Sequence, residues 1–269
     1  MQLFYSKDIT SAGFCTLDAE ESRHAVRVLR MREGDEINVT DGRGNLYRCR
    51  IVVADDHAAV IRNEELVIRN SPYASAPIPN SSLIIPNLHL AVAPTKNPAR
   101  MEWLVEKAVE IGVGEITLLQ CDHSERSFLK TDRLEKLAIS AMKQSLHSLL
   151  PKINPATSLR ELIRNYELVI RNSQDASASI PHSSFLIPHS PQKFIAHCEA
   201  DKPRIPLASA LQPGKDAVVL IGPEGDFSEE EIALALECGF QPVSLGPSRL
   251  RTETAALYAV TAFNLINDK

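Results

Sequence analysis

Two loops carry the residues best suited to chemistry. Gly222-Pro223-Glu224-Gly225 follows the apolar run Val218-Val219-Leu220-Ile221, and Gly246-Pro247 follows Pro242-Val243-Ser244-Leu245 and leads into Ser248-Arg249-Leu250-Arg251-Thr252-Glu253-Thr254. Short branched apolar runs stopped by Gly-Pro read as buried strands of a parallel sheet. Between them Ser228 and Glu231 have the spacing of a capping box, and Ile232, Leu234, Ala235 and Leu236 supply the apolar face of a returning helix. The unit is β-loop-α-β-loop-α, with both loops at the carboxyl ends of strands expected to be neighbours. That is the edge at which open α/β sheets bind ligands.

Charge narrows the ligand. A helix amino end attracts anions through its free N–H groups and dipole, but Asp226, Glu229, Glu230 and Glu231 crowd this one with carboxylates. The loop therefore suits a neutral or cationic ligand. Neither GxxxxGK[ST] nor GxGxxG occurs in the chain, which speaks against a small-molecule nucleotide enzyme.

The elements that must position these loops extend through the carboxyl-terminal two-thirds. Leu88–Ala93 reads as a strand, and Asn97-Pro98 opens a helix that turns Met101, Leu104, Val105, Ala108, Val109 and Ile111 inward and stops at Gly112. Glu115–Cys121 is the next strand, Thr131 to Leu149 a helix, and Lys193–Cys198 another strand. Strands alternating with helices predict an α/β fold with a doubly wound parallel sheet. Ahead of it, Glu36–Thr40 and Leu46–Val53 alternate around the turn residues Asp41-Gly42-Arg43-Gly44-Asn45, which predicts a hairpin of a small barrel. Glu20–Met31 predicts one short amphipathic helix with Ala25, Val26 and Leu29 on its apolar face.

A duplication interrupts this plan. Ile61–Asn87 reads IRNEELVIRNSPYASAPIPNSSLIIPN and Ile163–His189 reads IRNYELVIRNSQDASASIPHSSFLIPH, identical at most positions. Two copies do not make a solenoid, and the Ser, Pro and Asn content suggests loops that leave the core. Leu66-Val67-Ile68 and Leu168-Val169-Ile170 are candidates for short strands, or for pairing with each other.

With 44% hydrophobic and 23% charged residues the composition is that of a soluble globular protein. No apolar run is long enough to span a bilayer, and Met1-Gln2-Leu3-Phe4-Tyr5 enters a strand directly without signal-peptide features, so a cytoplasmic location is expected. Cys15, Cys49, Cys121, Cys198 and Cys238 are scattered and odd in number, which supports neither a disulfide framework nor a CxxC metal pattern. The net charge of −5 does not itself suggest a nucleic-acid partner. Arginines nevertheless gather at Arg23, Arg27, Arg30 and Arg32, and again at Arg43, Arg48 and Arg50.

The run LIGPEG at Leu220–Gly225 and the run LGPSRLRTETA at Leu245–Ala255 together resemble the SPOUT-type RNA methyltransferases. The resemblance is greatest to the bacterial family that methylates N3 of a uridine in 16S ribosomal RNA. His24–Asp35 is similar to a segment of that family's amino-terminal domain. The resemblance implies a PUA-like β-barrel that holds RNA at residues 1–63, an inserted linker at 64–87, and a trefoil-knotted SPOUT methyltransferase domain at 88–269 with the related insertion at about 163–189. It also implies S-adenosylmethionine as methyl donor, S-adenosylhomocysteine as product, the small ribosomal subunit as substrate and a homodimer, with no metal and no membrane. The alternatives left open are a different RNA target and an RNA-binding homologue without catalysis.

Residue roles follow from the same resemblance. The cofactor site is expected at Leu220, Ile221, Gly222, Pro223, Glu224 and Gly225, with Leu245, Gly246, Leu250, Arg251, Thr252 and Thr254 from the second loop. Arg249 or Arg251 would stabilise the anion that forms when the uridine loses its N3 proton. Glu253 is either a base, weakened by the nearby Arg251, or the salt-bridge partner that orients that arginine. Arg23, Arg27, Arg30 and Arg32 are the expected RNA contacts. Ser124-Glu125-Arg126 and Gln144 also match the family, but Lys143 stands where it commonly has Glu.

Overall fold

A computed structural model describes residues 2–10, 13–68, 86–125, 130–174, 191–199 and 203–267. Arg126 and most of both duplicated segments, residues 69–85 and 175–190, lie outside the described residues. The chain forms two compact units, one of residues 1–83 and 136–150, the other of residues 84–135 and 151–269.

In the first unit, β1 (Leu3–Tyr5), β2 (Phe14–Thr16), β3 (Glu36–Thr40), β4 (Leu46–Val53) and β5 (Val60–Ile68) form one sheet in the order β1-β3-β4-β5-β2. The expected β3–β4 hairpin is present, with Ile37 opposite Cys49. Asp41 holds its turn by accepting from the amides of Arg43 (2.7 Å) and Asn45 (3.2 Å). Alternation puts Ile37, Val39, Tyr47, Cys49 and Ile51 into the core with Phe4, Leu17 and Ile61.

The helix expected over Glu20–Met31 is shorter and changes type. Helix α1 (Ala19–Arg23) is capped by Asp18, whose side chain accepts from the amides of Glu20 and Glu21, and it runs into a π-helical turn at His24–Val28. The wider turn breaks the 3.6-residue register on which the apolar stripe depended. Ala25 is fully buried, but Leu29 is 40% exposed.

Helix α2 (Pro98–Ile111) and the strands β6 (Leu88–Val92) and β7 (Glu115–Gln120) belong to the second unit. Helix α3 (Thr131–Gln144) begins there, and its later residues count with the first unit. It ends at Gln144 instead of Leu149. The β3–β4 turn takes the backbone that a longer helix would need: Gly44 N donates to Ser148 O (2.9 Å), Thr40 Oγ1 to the same oxygen (2.8 Å), and Leu150 N to Gly42 O (2.8 Å). Lys143 is committed to an ion pair with Glu21, which is 4% exposed. Burial raises the Glu21 carboxyl pKa, and Lys143 opposes that rise.

The second unit continues through β8 (Lys152–Ser158), α4 (Leu159–Gln174), β9 (Gln192–Ala196), β10 (Ile205–Pro206), α5 (Leu207–Ala210), β11 (Ala217–Ile221), α6 (Glu229–Glu237), β12 (Gln241–Ser244) and α7 (Thr252–Asn267). Its sheet has the order β10-β12-β9-β11-β6-β7-β8, and every neighbouring pair is parallel. The α/β class read from the sequence is the one observed. All residues of β6 and β11 are buried; β11 is an unbroken apolar run, and in β6 the run is interrupted by His89, whose ring nitrogens bond to Tyr166 and Thr117. Strand β8 went unforeseen because Lys152-Ile-Asn-Pro-Ala-Thr-Ser158 has no apolar run. It lies at a sheet edge, where Pro155 is tolerated.

The two duplicated decapeptides fold differently. Ile61–Ile68 belongs to β5, where Leu66 pairs with Tyr47 and Ile68 with Leu46. Leu168-Val169-Ile170 is helical within α4, so the strand expected there is absent and these two triplets do not pair with each other.

Candidate active site

The order β12-β9-β11 sets three strand ends side by side. The two loops were expected on neighbouring strands; β9 lies between them. Ala196, Ile221 and Ser244, the last residues of these strands, border a cavity of about 330 Å³. Strand ends on one edge of a parallel sheet are where such folds build their sites.

The first wall is the loop after β11. A Cβ on Gly222 would come 3.1 Å from the Phe227 ring and 3.3 Å from its amide, so a larger residue would displace the loop. Asp226 takes a left-handed conformation (φ 67°), which Asp tolerates better than most residues. Its Oδ1 accepts from Phe227 N (2.9 Å) and its Oδ2 from Cys198 N (2.6 Å), which ties this loop to the end of β9. The expected capping box at Ser228 and Glu231 is present. Glu231 Oε1 also accepts from Asp122 N (3.0 Å), and Ser228 Oγ donates to Asp122 Oδ2 (2.7 Å).

These contacts correct the charge reading. Glu231 is 3% exposed and spent on the cap, and Glu229 and Glu230 are exposed and do not line the cavity. Its carboxylates are those of Glu224 and Asp226, and it also carries Arg204, Arg249 and Arg251. The cavity is of mixed charge, whereas the sequence suggested an acidic one.

The second wall runs from Leu245 to Thr252. Gly246 has φ 117°, a conformation side chains disfavour. Thr252 begins α7, and its Oγ1 donates to Gly222 O (3.2 Å), which joins the two loops. Of the expected cofactor residues, Ile221, Gly222, Pro223 and Glu224 line the cavity together with Leu245, Gly246, Leu250, Arg251 and Thr252. Leu220 is buried within β11, Gly225 packs against His123, and Thr254 is exposed on α7, so these three lie outside it.

Among the expected catalytic residues, Arg249 and Arg251 reach the cavity and are exposed. Glu253 does not line it. Its side chain is 8% exposed and its Oε1 lies 3.7 Å from Arg100 Nε on α2, so its ion-pair partner is Arg100 and not Arg251. Glu253 Oε2 is buried with no hydrogen-bond partner among the described residues.

A third wall was missed. His197, Cys198 and Arg204 follow β9, and Arg204 Nη1 donates to His197 O. The polar residues closing a recognised parallel strand were an available signal, but only the strand order shows that β9 lies between the two loops. Burial raises the Cys198 thiol pKa, as does the nearby Asp226, against the opposing pull of Arg249 and Arg204.

In the first unit Arg23, Arg30 and Arg32 are exposed without an ion pair among the described residues, and Arg27 lies 3.3 Å from Asp56. Arg48 and Arg50 are engaged by Glu65 (2.6 Å) and Glu64 (2.9 Å). Asp55, Asp56 and His57 are the only three potential metal ligands grouped closely among the described residues. Asp55 holds the turn by accepting from His57 N (2.8 Å) and Ala58 N (2.9 Å).

Residues 84–264 match the family described as the RNA methyltransferase domain. The chain belongs to that RNA methyltransferase family. Residues 17–62 match the family's RNA methyltransferase PUA domain. The solved structure of a probable rRNA methyltransferase from Porphyromonas gingivalis is 37% identical, with 100% of this chain and 99% of that chain covered and a TM-score of 0.80. A ribosomal RNA small subunit methyltransferase E from Neisseria gonorrhoeae, solved bound to S-adenosyl methionine, is 25% identical over 99% and 98% of the two chains, with a TM-score of 0.72. The protein of that name from Buchnera aphidicola is 25% identical over 97% of this chain and 91% of its own. The family resemblance read from LIGPEG and LGPSRLRTETA is met over the whole length. No helix among the described residues is long and apolar enough to cross a membrane.

Proposed function

We propose that this RNA methyltransferase transfers a methyl group from S-adenosylmethionine to N3 of a uridine in 16S ribosomal RNA of the small subunit, and that it acts as a homodimer. The observation that carries the reading is the cavity over β12, β9 and β11, closed by two loops joined through Thr252 and Gly222. Its residues fit the cofactor. Ile221, Val243, Leu245, Leu250 and Ala255 offer an apolar surface to a flat base, and the Glu224 and Asp226 carboxylates suit a cation.

When bound, S-adenosylmethionine supplies a methyl group on a cationic sulfur that leaves as a neutral thioether. The chain's part is to position and to stabilise charge. Arg249 and Arg251, exposed at the cavity, would donate to a uracil carbonyl oxygen as N3 loses its proton to solvent water and negative charge gathers there. Glu253, held off the cavity by Arg100, orients the first turn of α7. Positioning of the two reactants supplies the rest of the acceleration. Exposed Arg23, Arg30 and Arg32 support RNA contact by the first unit, where guanidinium groups can fork onto phosphates. The apolar surface left open on α2 and α7 at Trp103, Tyr258 and Leu265 supports dimerisation.

The test is methyl transfer from labelled S-adenosylmethionine to unmodified small ribosomal subunits, followed by nucleoside analysis. The expected product is 3-methyluridine. Label in another nucleoside would redirect the target, and cofactor binding without any transfer would leave an RNA-binding homologue.

A further inference from the structure

The geometry points to Arg204 as the anchor for the carboxylate of the cofactor's amino-acid end. This subsite deepens the proposed methyltransferase reading and rests on it. The cavity carries three guanidinium groups, and none of them has an ion pair among the described residues. They are not equivalent. Arg249 and Arg251 are exposed on the loop before α7, whereas Arg204 is half-buried beside the end of β9, the central strand under the cavity.

Arg204 is also held. One nitrogen, Nη1, donates to His197 O, and the His197 side chain is buried at the same strand end. That bond uses part of a planar five-donor fork and leaves the remaining N–H groups to a ligand anion. A guanidinium already fixed by a backbone carbonyl loses less freedom on binding, and partial burial strengthens its pairing with a carboxylate.

The other groups nearby make the assignment selective. Asp226 shares the cavity, but both its oxygens already accept backbone amides, from Phe227 and Cys198. Glu224 Oε1 accepts from Lys96 N (3.1 Å), and its exposed carboxylate remains at the cavity. A zwitterionic amino-acid end therefore meets both an acidic loop and a fixed guanidinium at the strand ends, with the apolar residues left to the base. Arg249 and Arg251, more exposed, remain for the RNA.

The test is titration calorimetry of the intact protein and its Arg204→Gln and Arg204→Lys variants with three probes. S-adenosylmethionine and S-adenosylhomocysteine both carry the carboxylate; methylthioadenosine keeps the base and sulfur and lacks the amino-acid end. Loss of one charge-assisted, two-donor contact should weaken both carboxylate ligands roughly 10- to 100-fold in Arg204→Gln. Methylthioadenosine should bind as to the unaltered protein, and Arg204→Lys should recover only part of the loss, because it restores charge without the fork.

Unchanged affinity for S-adenosylmethionine in Arg204→Gln would overturn the subsite and leave the cofactor reading standing. So would a parallel loss of methylthioadenosine, which would mean the variant had damaged the cavity wall. An unaltered protein that bound none of the three would overturn the cofactor reading and the subsite together.

Discussion

Tyr166→Glu makes the helical decapeptide identical to the strand copy, IRNEELVIRN, and it should be strongly destabilising. Tyr166 is 8% exposed and packs with Leu159, Leu162 and Ile163, while its hydroxyl bonds to His89 Nδ1. A buried tyrosine covers about 150–250 Å², which at ~25 cal/mol per Å² corresponds to about 4–6 kcal/mol. The glutamate stem recovers part of this, but its carboxylate would sit near Glu115, which already opposes ionisation of Tyr166. A net cost of about 4 kcal/mol is expected, a large part of the ~5–15 kcal/mol that holds a typical domain together. Tyr166→Phe keeps the ring and should lose about 1–3 kcal/mol, the cost of removing a buried hydrogen-bond partner. The reciprocal change Glu64→Tyr alters an exposed position that pairs with Arg50 and Arg62, and it should unfold with the unaltered protein. Urea unfolding followed by far-ultraviolet circular dichroism measures all three. If Tyr166→Glu lay within about 1 kcal/mol of the unaltered protein, the reasoning that this side chain docks α4 would fail.

Three further outcomes are expected. Burial depresses the His89 pKa from 6.5 to about 3, so the unfolded chain takes up a proton below pH 6.5 that the folded chain refuses. Stability should fall as pH drops from 6.5 towards 3, by about 2 kcal/mol between pH 7 and pH 5. Glu115, whose carboxyl pKa burial raises, works in the opposite direction. Comparing urea midpoints of the unaltered protein and His89→Gln at both pH values isolates the histidine, and equal pH responses would contradict it. At the active site, Arg251→Ala should slow single-turnover methylation by roughly 10²–10³-fold, while Glu253→Gln should lower thermal stability and cost less than about tenfold in rate. A Glu253→Gln protein of unchanged melting temperature and no transfer would restore Glu253 as a base.

Much of the site was legible where local pattern and tertiary role agree. The runs at Val218–Ile221 and Pro242–Leu245, the capping box at Ser228 and the hairpin at Glu36–Val53 each depend on neighbours within a few residues. The readings that failed depended on distant partners. Helix α3 stops at Gln144 because the Thr40–Gly44 turn engages Ser148 and Leu150. Glu253 pairs with Arg100 on another helix, although Arg251 is closer in sequence. Glu231 faces inward to Asp122, so counting carboxylates along the chain overstated the acidity of the cavity.

The duplicated decapeptide separates the two kinds of information most cleanly. By itself the sequence determined that Ile61–Asn70 and Ile163–Asn172 are near copies, each with apolar residues that satisfy either period. Tertiary structure decided which period was used. The first copy has the hairpin strand β4 beside it and pairs as β5. The second follows Ser158, whose Oγ accepts from Glu161 N (3.2 Å), and Leu159 and Leu162, which extend Ile163 and Tyr166 into one helical stripe. Local propensity is worth only tenths of a kcal/mol per residue, whereas docking one buried side chain is worth about 2 kcal/mol, so context overrides it. The same holds for Arg204: no local pattern marks it, and it reaches the cavity because the sheet sets β9 between β11 and β12.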